Sequence, residues 1–150
     1  MADASTPPPK TPWHLWVVGV ISLLWNSVGV LDFTMTLLRN EAYLKDFTPE
    51  QRAYFSGFPL WALLTWGIAT WGSVVAAGSL LGRKPLAVPL YLVSTICMVV
   101  TTVYSYVLSD GLKVMGAHAS SAVIFSGVIF VVSVLEVIYA RAMRRRGVLR

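Results

Sequence analysis

Charge is scarce in this chain. Charged side chains make up 13% of its 150 residues, and only 7 of those are acids. A soluble globular domain carries roughly 25%. The deficit excludes intrinsic disorder, which needs high charge and few apolar groups, and argues against a soluble fold. Cysteine is nearly missing. Cys97 stands alone, so neither an intramolecular disulfide nor a cysteine-based metal cluster can form. The two histidines, His14 and His118, fall on opposite sides of the membrane in the layout below. They can share neither a zinc ion nor a haem iron. No phosphate-binding glycine loop, Ser-His-Asp arrangement or two-carboxylate cleft is legible. No nucleic-acid recognition motif accompanies the net charge of +5. The expectation is a protein that is not an enzyme and holds no metal or cofactor.

Apolar residues are abundant, at 56% of the chain, and mean hydropathy is +0.67. Crossing roughly 30 Å of hydrocarbon takes about 20 apolar residues in a helix. Four stretches meet that length: Trp13–Leu38, Pro59–Leu81, Leu86–Leu108 and Ala117–Tyr139. Each is a nearly continuous run without period-2 alternation, which excludes barrel strands. The fold expected is an all-α membrane protein, a four-helix bundle in up-down-up-down order spanning residues 13–140. Met1–Pro12 is polar, with Pro7, Pro8, Pro9 and Pro12. It reads as a solvated tail ahead of an uncleaved first span, because the run that follows is too long for a signal h-region.

Lysine and arginine set the orientation. Lys10, Arg83, Lys84, Arg141, Arg144, Arg145, Arg146 and Arg150 fall on one side, against Arg39, Lys45, Arg52 and Lys113 on the other. Both termini are therefore expected in the cytoplasm. The basic tail 141–150 reads as an anchor on anionic lipid through Arg141, Arg144, Arg145 and Arg146. In the longest connection, Thr48-Pro49-Glu50-Gln51 has the pattern of a capping box with proline at N1. It predicts a helix of about two turns to Phe55, lying on the outer leaflet as an anchor or as a lid on an outward-facing groove.

Helices in lipid associate through close packing and polar contacts. Span one offers Gly19, Ser22, Asn26, Gly29, Phe33 and Thr36 at spacings of three or four. Span two offers Ala69, Gly72, Ser73 and Ala76; span three Ser94, Cys97, Thr101 and Ser105; span four Ser126, Ser133 and Glu136. These faces point inward in the expected bundle. One protomer of this size is expected to be too thin for a pore or large pocket, which leaves a dimer to build one. Asp32 is the foremost candidate for function, since an acid inside a span is costly. Either it bonds to a neighbouring helix or to Arg39, or it couples to a proton or substrate. Asn26 reads as glue between helices or as a ligand contact. Trp25 and Trp66 are deep enough to line a path. Glu136 is a possible second polar site, or it reaches the basic tail. Helix rise puts it on the order of 20 Å from Asp32 along the membrane normal.

Several segments carry a resemblance: Pro12-Trp13-His14-Leu15-Trp16, Leu24-Trp25-Asn26, Asp32-Phe33, Arg39-Asn40-Glu41-Ala42-Tyr43, Phe47-Thr48-Pro49-Glu50-Gln51 and Gly57-Phe58-Pro59. Together they resemble a family of small four-helix inner-membrane proteins of Gram-negative bacteria, often labelled sugar transporters. The resemblance implies a bacterial inner-membrane location and makes Asp32, Asn26 and the outer segment family features. It places no catalytic or binding residue. The small multidrug resistance transporters share only the architecture, since their helix-one acid is a deep glutamate. Two functions follow as expectations. One is a small-solute, sugar-like transporter acting as a homo-oligomer. The other is a non-enzymatic accessory subunit packed against a larger membrane complex.

Overall fold

The computed structural model describes residues 10–150, so most of the expected tail Met1–Pro12 lies outside the described residues. Those described are helical, with no strand. Helix α1 (Trp13–Leu37) follows Pro12, whose extended backbone ends the tail at the helix start. A 3-10 turn at Leu44–Asp46 precedes α2 (Pro49–Ser56). Helix α3 (Leu60–Leu81) is followed by α4 (Ala87–Val103), which runs on into a π-helical turn at Tyr104–Leu108. The short α5 (Gly111–Met115) leads to α6 (Ala119–Arg145). Four of these segments are long and apolar enough to cross a membrane: α1, α3, α4 with its π turn, and α5–α6. The architecture is that of a multi-pass, all-α membrane protein.

The span limits read from the sequence fall within a few residues of α1, α3 and α4. The last helix differs more, running on to Arg145, well past Tyr139. Arg141, Arg144 and Arg145 therefore lie on its final turns and not in a free tail. The helix ends in a Schellman turn. Gly147 takes φ 70°, its N–H donates to the Arg144 carbonyl, and the Val148 N–H donates to Met143. That turn folds Val148 and Leu149 back into the core, where they are buried. Two further helices end the same way with arginine in the left-handed position: Arg39 after α1 (φ 52°) and Arg83 after α3 (φ 55°).

Helix α3 is central, packing against α1 on one side and α4 on the other, and α6 packs on α4. Its buried residues are mostly small, including Ala62, Ala69, Ser73, Ala76 and Ala77. Small side chains let backbones approach, which is what association in lipid requires. A Cβ on Gly72 would collide with the Ser94 hydroxyl of α4. The tight core gathers toward one end of the bundle, around Leu15, Leu80, Tyr91, Ala140 and Met143.

Polar bonds tie each end. At the core end the Arg150 N–H donates to the Arg83 carbonyl (2.9 Å). The Arg83 guanidinium donates to the Thr11 hydroxyl (2.9 Å), and His14 Nδ1 lies 2.6 Å from the Tyr139 hydroxyl. At the other end the Tyr54 hydroxyl of α2 lies 2.6 Å from that of Ser109. The half of the bundle nearer α2 is less tightly filled, and the candidate site lies there.

Candidate functional site

A cleft of about 220 Å³ runs between the helices of this single chain. It is small, in keeping with the expectation that one protomer is too thin for a large pocket, yet it is formed without a second copy. Along one face of α4 and its π turn, Tyr91, Thr95, Met98, Thr102 and Tyr106 line it, with Ser94, Thr101 and Ser105 beside them. Helix α3 contributes Trp66, Ala69, Thr70 and Ser73; α6 contributes Ser126, Ile129, Ser133 and Glu136; α1 contributes Asn26 alone. No Lys, Arg or His lies in the lining.

The floor is the polar pair Asn26 and Glu136. Asn26 Nδ2 donates to Glu136 Oε1 (2.8 Å) and to the Ser22 carbonyl of its own helix (2.9 Å). Both neighbours of that nitrogen are acceptors, which fixes the orientation of the amide. Glu136 is buried, at 7% exposure. Among the described residues the ion pair is Lys113–Asp110, 2.7 Å apart at α5, so Glu136 has no cationic partner. Its expected reach to the basic tail is thereby corrected. Helix α6 continues beyond the predicted end of the span, with Arg141 about 1.4 turns beyond Glu136 and Arg144 and Arg145 more than about two turns beyond it. Tyr91 shares the floor. It is 1% exposed, and its hydroxyl has no hydrogen-bond partner.

The roof is aromatic and comes from α2 and its exit. Phe55 and Phe58 line the cleft and stack near Trp66, with ring centroids at 6.0 Å and 5.9 Å. Phe33 of α1 meets Trp66 edge-on at 5.1 Å. Helix α2 forms where the sequence predicted. The Thr48 hydroxyl accepts from the Gln51 N–H (3.2 Å) and the Gln51 carboxamide from the Thr48 N–H (3.1 Å). The Tyr54 hydroxyl also reaches the Ser105 carbonyl at 3.3 Å, which holds the roof against α4. Gly111 permits that approach, because a Cβ there would meet the Ser105 carbonyl oxygen and the Tyr54 hydroxyl.

Three of the sequence candidates thus meet on one cleft: Asn26, Trp66 and Glu136. Asp32 and Trp25 are not in its lining. Asp32 Oδ1 accepts from the Tyr43 hydroxyl at 2.7 Å, so Tyr43 takes the place expected for Arg39. Arg39 turns outward in its left-handed conformation and is exposed. Burial and the adjacent Asp32 carboxylate push the Tyr43 phenol up to about 12. Asp32 lies six residues beyond Asn26, hence about 9 Å from the Glu136 level along the axis. That replaces the separation of some 20 Å expected from the sequence. Trp25 packs against Phe125 of α6, with centroids at 6.4 Å.

Tyr91, Thr95 and Thr102 were not singled out as sequence candidates. Their signal was present, since Tyr91, Thr95, Met98, Thr102 and Tyr106 recur every three or four residues, the spacing of one helix face. Among the described residues no three of His, Cys, Asp and Glu gather as a metal site would require. Comparison of the chain with known protein families, with curated proteins and with solved structures finds no match.

Proposed function

We propose that this chain is a small membrane transporter whose substrate site is the cleft above Asn26 and Glu136. The observation that carries the proposal is a hydroxyl-lined cleft inside a bundle of apolar helices, with a buried acid at its floor and no cationic partner for that acid. Burying such a group without compensation is costly, and packing alone gives no reason to keep it. Ligand sites for drug-sized molecules occupy roughly 300–1,000 Å³, so the smaller cleft suits a small polar solute. The resemblance to the four-helix inner-membrane family points toward a sugar-like one, and toward a bacterial inner membrane.

The orientation belongs to the same proposal. Thr11, His14, Arg83, Tyr139 and Arg150 gather at one end, so the eight basic residues of the cytoplasmic set share a side. This supports up-down-up-down helices with both termini in the cytoplasm. The cleft roof at Phe55 and Phe58 then faces outward. The cleft is complete within one chain, so the transporter reading does not require a homo-oligomer. The accessory-subunit alternative expects a surface without a cavity, and the cleft favours transport over it. Apolar side chains along α6, such as Ile124, Phe125 and Val131, are exposed, and lipid suffices to cover them.

The test is solute entry into liposomes carrying the purified chain, with small neutral, cationic and anionic solutes offered in turn. The account expects entry of at least one above protein-free vesicles, lost when Ser133→Leu fills the cleft. Entry that is equal with and without the protein for every solute refutes it.

A further inference from the structure

We infer that the cleft takes a small organic cation with an ammonium head, seated against Glu136, Asn26 and Tyr91. The inference rests on reading the cleft as the solute site, and it sets a cationic solute in place of the sugar-like one that the resemblance points toward. Its basis is the direction of the hydrogen bonds in the wall. A hydroxyl has one hydrogen to donate and two lone pairs to accept with. Six of the cleft hydroxyls have their hydrogens committed to helix backbone. Thr70 donates to the Trp66 carbonyl (3.1 Å) and Ser73 to Thr70 (2.8 Å). Thr95 donates to Tyr91 (2.8 Å), Thr101 to Cys97 (3.0 Å) and Thr102 to Met98 (2.9 Å). Ser133 donates to Ile129 (2.9 Å). Thr101 also bonds the Thr65 hydroxyl (2.9 Å), and the other five leave their lone pairs for the cleft.

The floor repeats the pattern. Asn26 uses its amide hydrogens on Ser22 and Glu136, which leaves its carbonyl oxygen as an acceptor. Glu136 adds a carboxyl group without a cationic partner. A surface of acceptors around an unpaired acid matches a ligand with several donors, no acceptor and a positive charge. An ammonium group is such a ligand. An anion would meet mainly acceptors and the acid. A neutral polyol would find its own oxygen lone pairs opposed by those of the wall. Among the described lining groups, the Tyr91 hydroxyl is buried and without a partner, and the Ser105 hydroxyl and the Trp66 indole N–H also stand on the cleft with their hydrogens free. The Tyr91 hydroxyl can accept from the ammonium or donate to a hydroxyl carried beside it.

The experiment is calorimetric titration of the full chain in detergent with matched probes: ethanolamine as its ammonium, ethylene glycol as the neutral counterpart and glycolate as the anion. Glucose, sodium chloride and potassium chloride complete the set. The inference expects ethanolamine to bind at least about tenfold more tightly than the other organic probes. It expects that affinity to fall at least about tenfold in Glu136→Gln, which removes the charge and keeps the shape. Thr95→Val, which removes one acceptor near the floor, is expected to weaken binding by about threefold. That variant decides the matter if Glu136→Gln does not yield monodisperse protein. Ethylene glycol or glucose binding as well as ethanolamine overturns the cation class and leaves the solute site standing. Sodium or potassium displacing ethanolamine at equal concentration overturns the ammonium assignment in favour of an inorganic cation. Heat from no probe overturns both the inference and the reading it rests on.

Discussion

The Asn26–Glu136 hydrogen bond joins α1 to α6 across 110 residues of sequence, and it is the contact on which the floor of the cleft depends. Replacing Asn26 by alanine removes the donor to Glu136 Oε1 and leaves a buried acid with less support. Two magnitudes bear on the cost. Hydrogen bonds to charged groups contribute about 1.5–3 kcal/mol in soluble proteins. Bonds between membrane helices average about 0.6 kcal/mol and reach about 1.7 kcal/mol, because the separated helices find other partners. The bond here is short, its acceptor is an acid and its other neighbours are committed, so the upper end of the membrane range applies: about 1.5 kcal/mol of coupling. The assay is a double-mutant cycle of Asn26→Ala, Glu136→Ala and the pair, read by denaturant unfolding in detergent. Both single variants also lose packing, but the cycle cancels those losses and returns the pairwise term. Strictly additive effects, with coupling indistinguishable from zero, would refute the pairing and the floor built on it.

Other outcomes follow from the same structure. Tyr43→Phe removes the donor to Asp32 and is expected to cost about 1–2 kcal/mol in thermal unfolding, whereas Asp32→Asn keeps an acceptor for Tyr43 and costs less. The Tyr43 phenol is held neutral by the fold, so the contribution of this latch is complete below the usual tyrosine range near pH ~10. It is lost as pH rises through about 12, which a tyrosinate absorbance titration of wild type against Tyr43→Phe reads directly. Arg39→Gly relieves a left-handed arginine whose side chain is exposed. Its unfolding midpoint should rise by the equivalent of about 0.5–1 kcal/mol. Gly111→Ala forces a Cβ against the Ser105 carbonyl and the Tyr54 hydroxyl, and should lower stability by about 1–3 kcal/mol. The same change should speed proteolysis in the segment around α2.

Much of this architecture is legible in the sequence, because long apolar runs have few alternatives to a membrane helix. The capping box at Thr48–Gln51 was legible for a local reason: its hydrogen bonds close within four residues. Ser22, Phe33, Ala69 and Ser73 were read as inward-facing from their spacing, and all four are buried. The cleft was harder to read. It depends on how far apart α1 and α6 sit at mid-depth, and no single helix encodes that distance. Asp32 drew attention as the conspicuous acid, yet its partner comes from Tyr43 in a loop eleven residues on, which helix periodicity does not register. Glu136 was placed near the cytoplasmic end because the apolar run fades at Tyr139. The helix continues through the arginines, whose long side chains let a helix leave the hydrocarbon without ending. Tyr91 reads as one more aromatic in an apolar span, and only three-dimensional placement leaves its hydroxyl unpartnered on the cleft.

The central claim is that the cleft beneath α2 is a water-accessible solute site with Glu136 on its floor. Ser133 lies three residues before Glu136 on the cleft wall, and Val131 on the same helix faces away and is exposed. With the lone Cys97 changed to serine, single cysteines at Ser133→Cys and Val131→Cys can be treated in intact membranes with a water-soluble, membrane-impermeant thiol reagent. The account predicts that the Ser133→Cys thiol reacts from the side carrying α2 and that the Val131→Cys thiol, facing lipid, does not. Equal failure of both thiols to react, in protein that unfolds as wild type does, would contradict it.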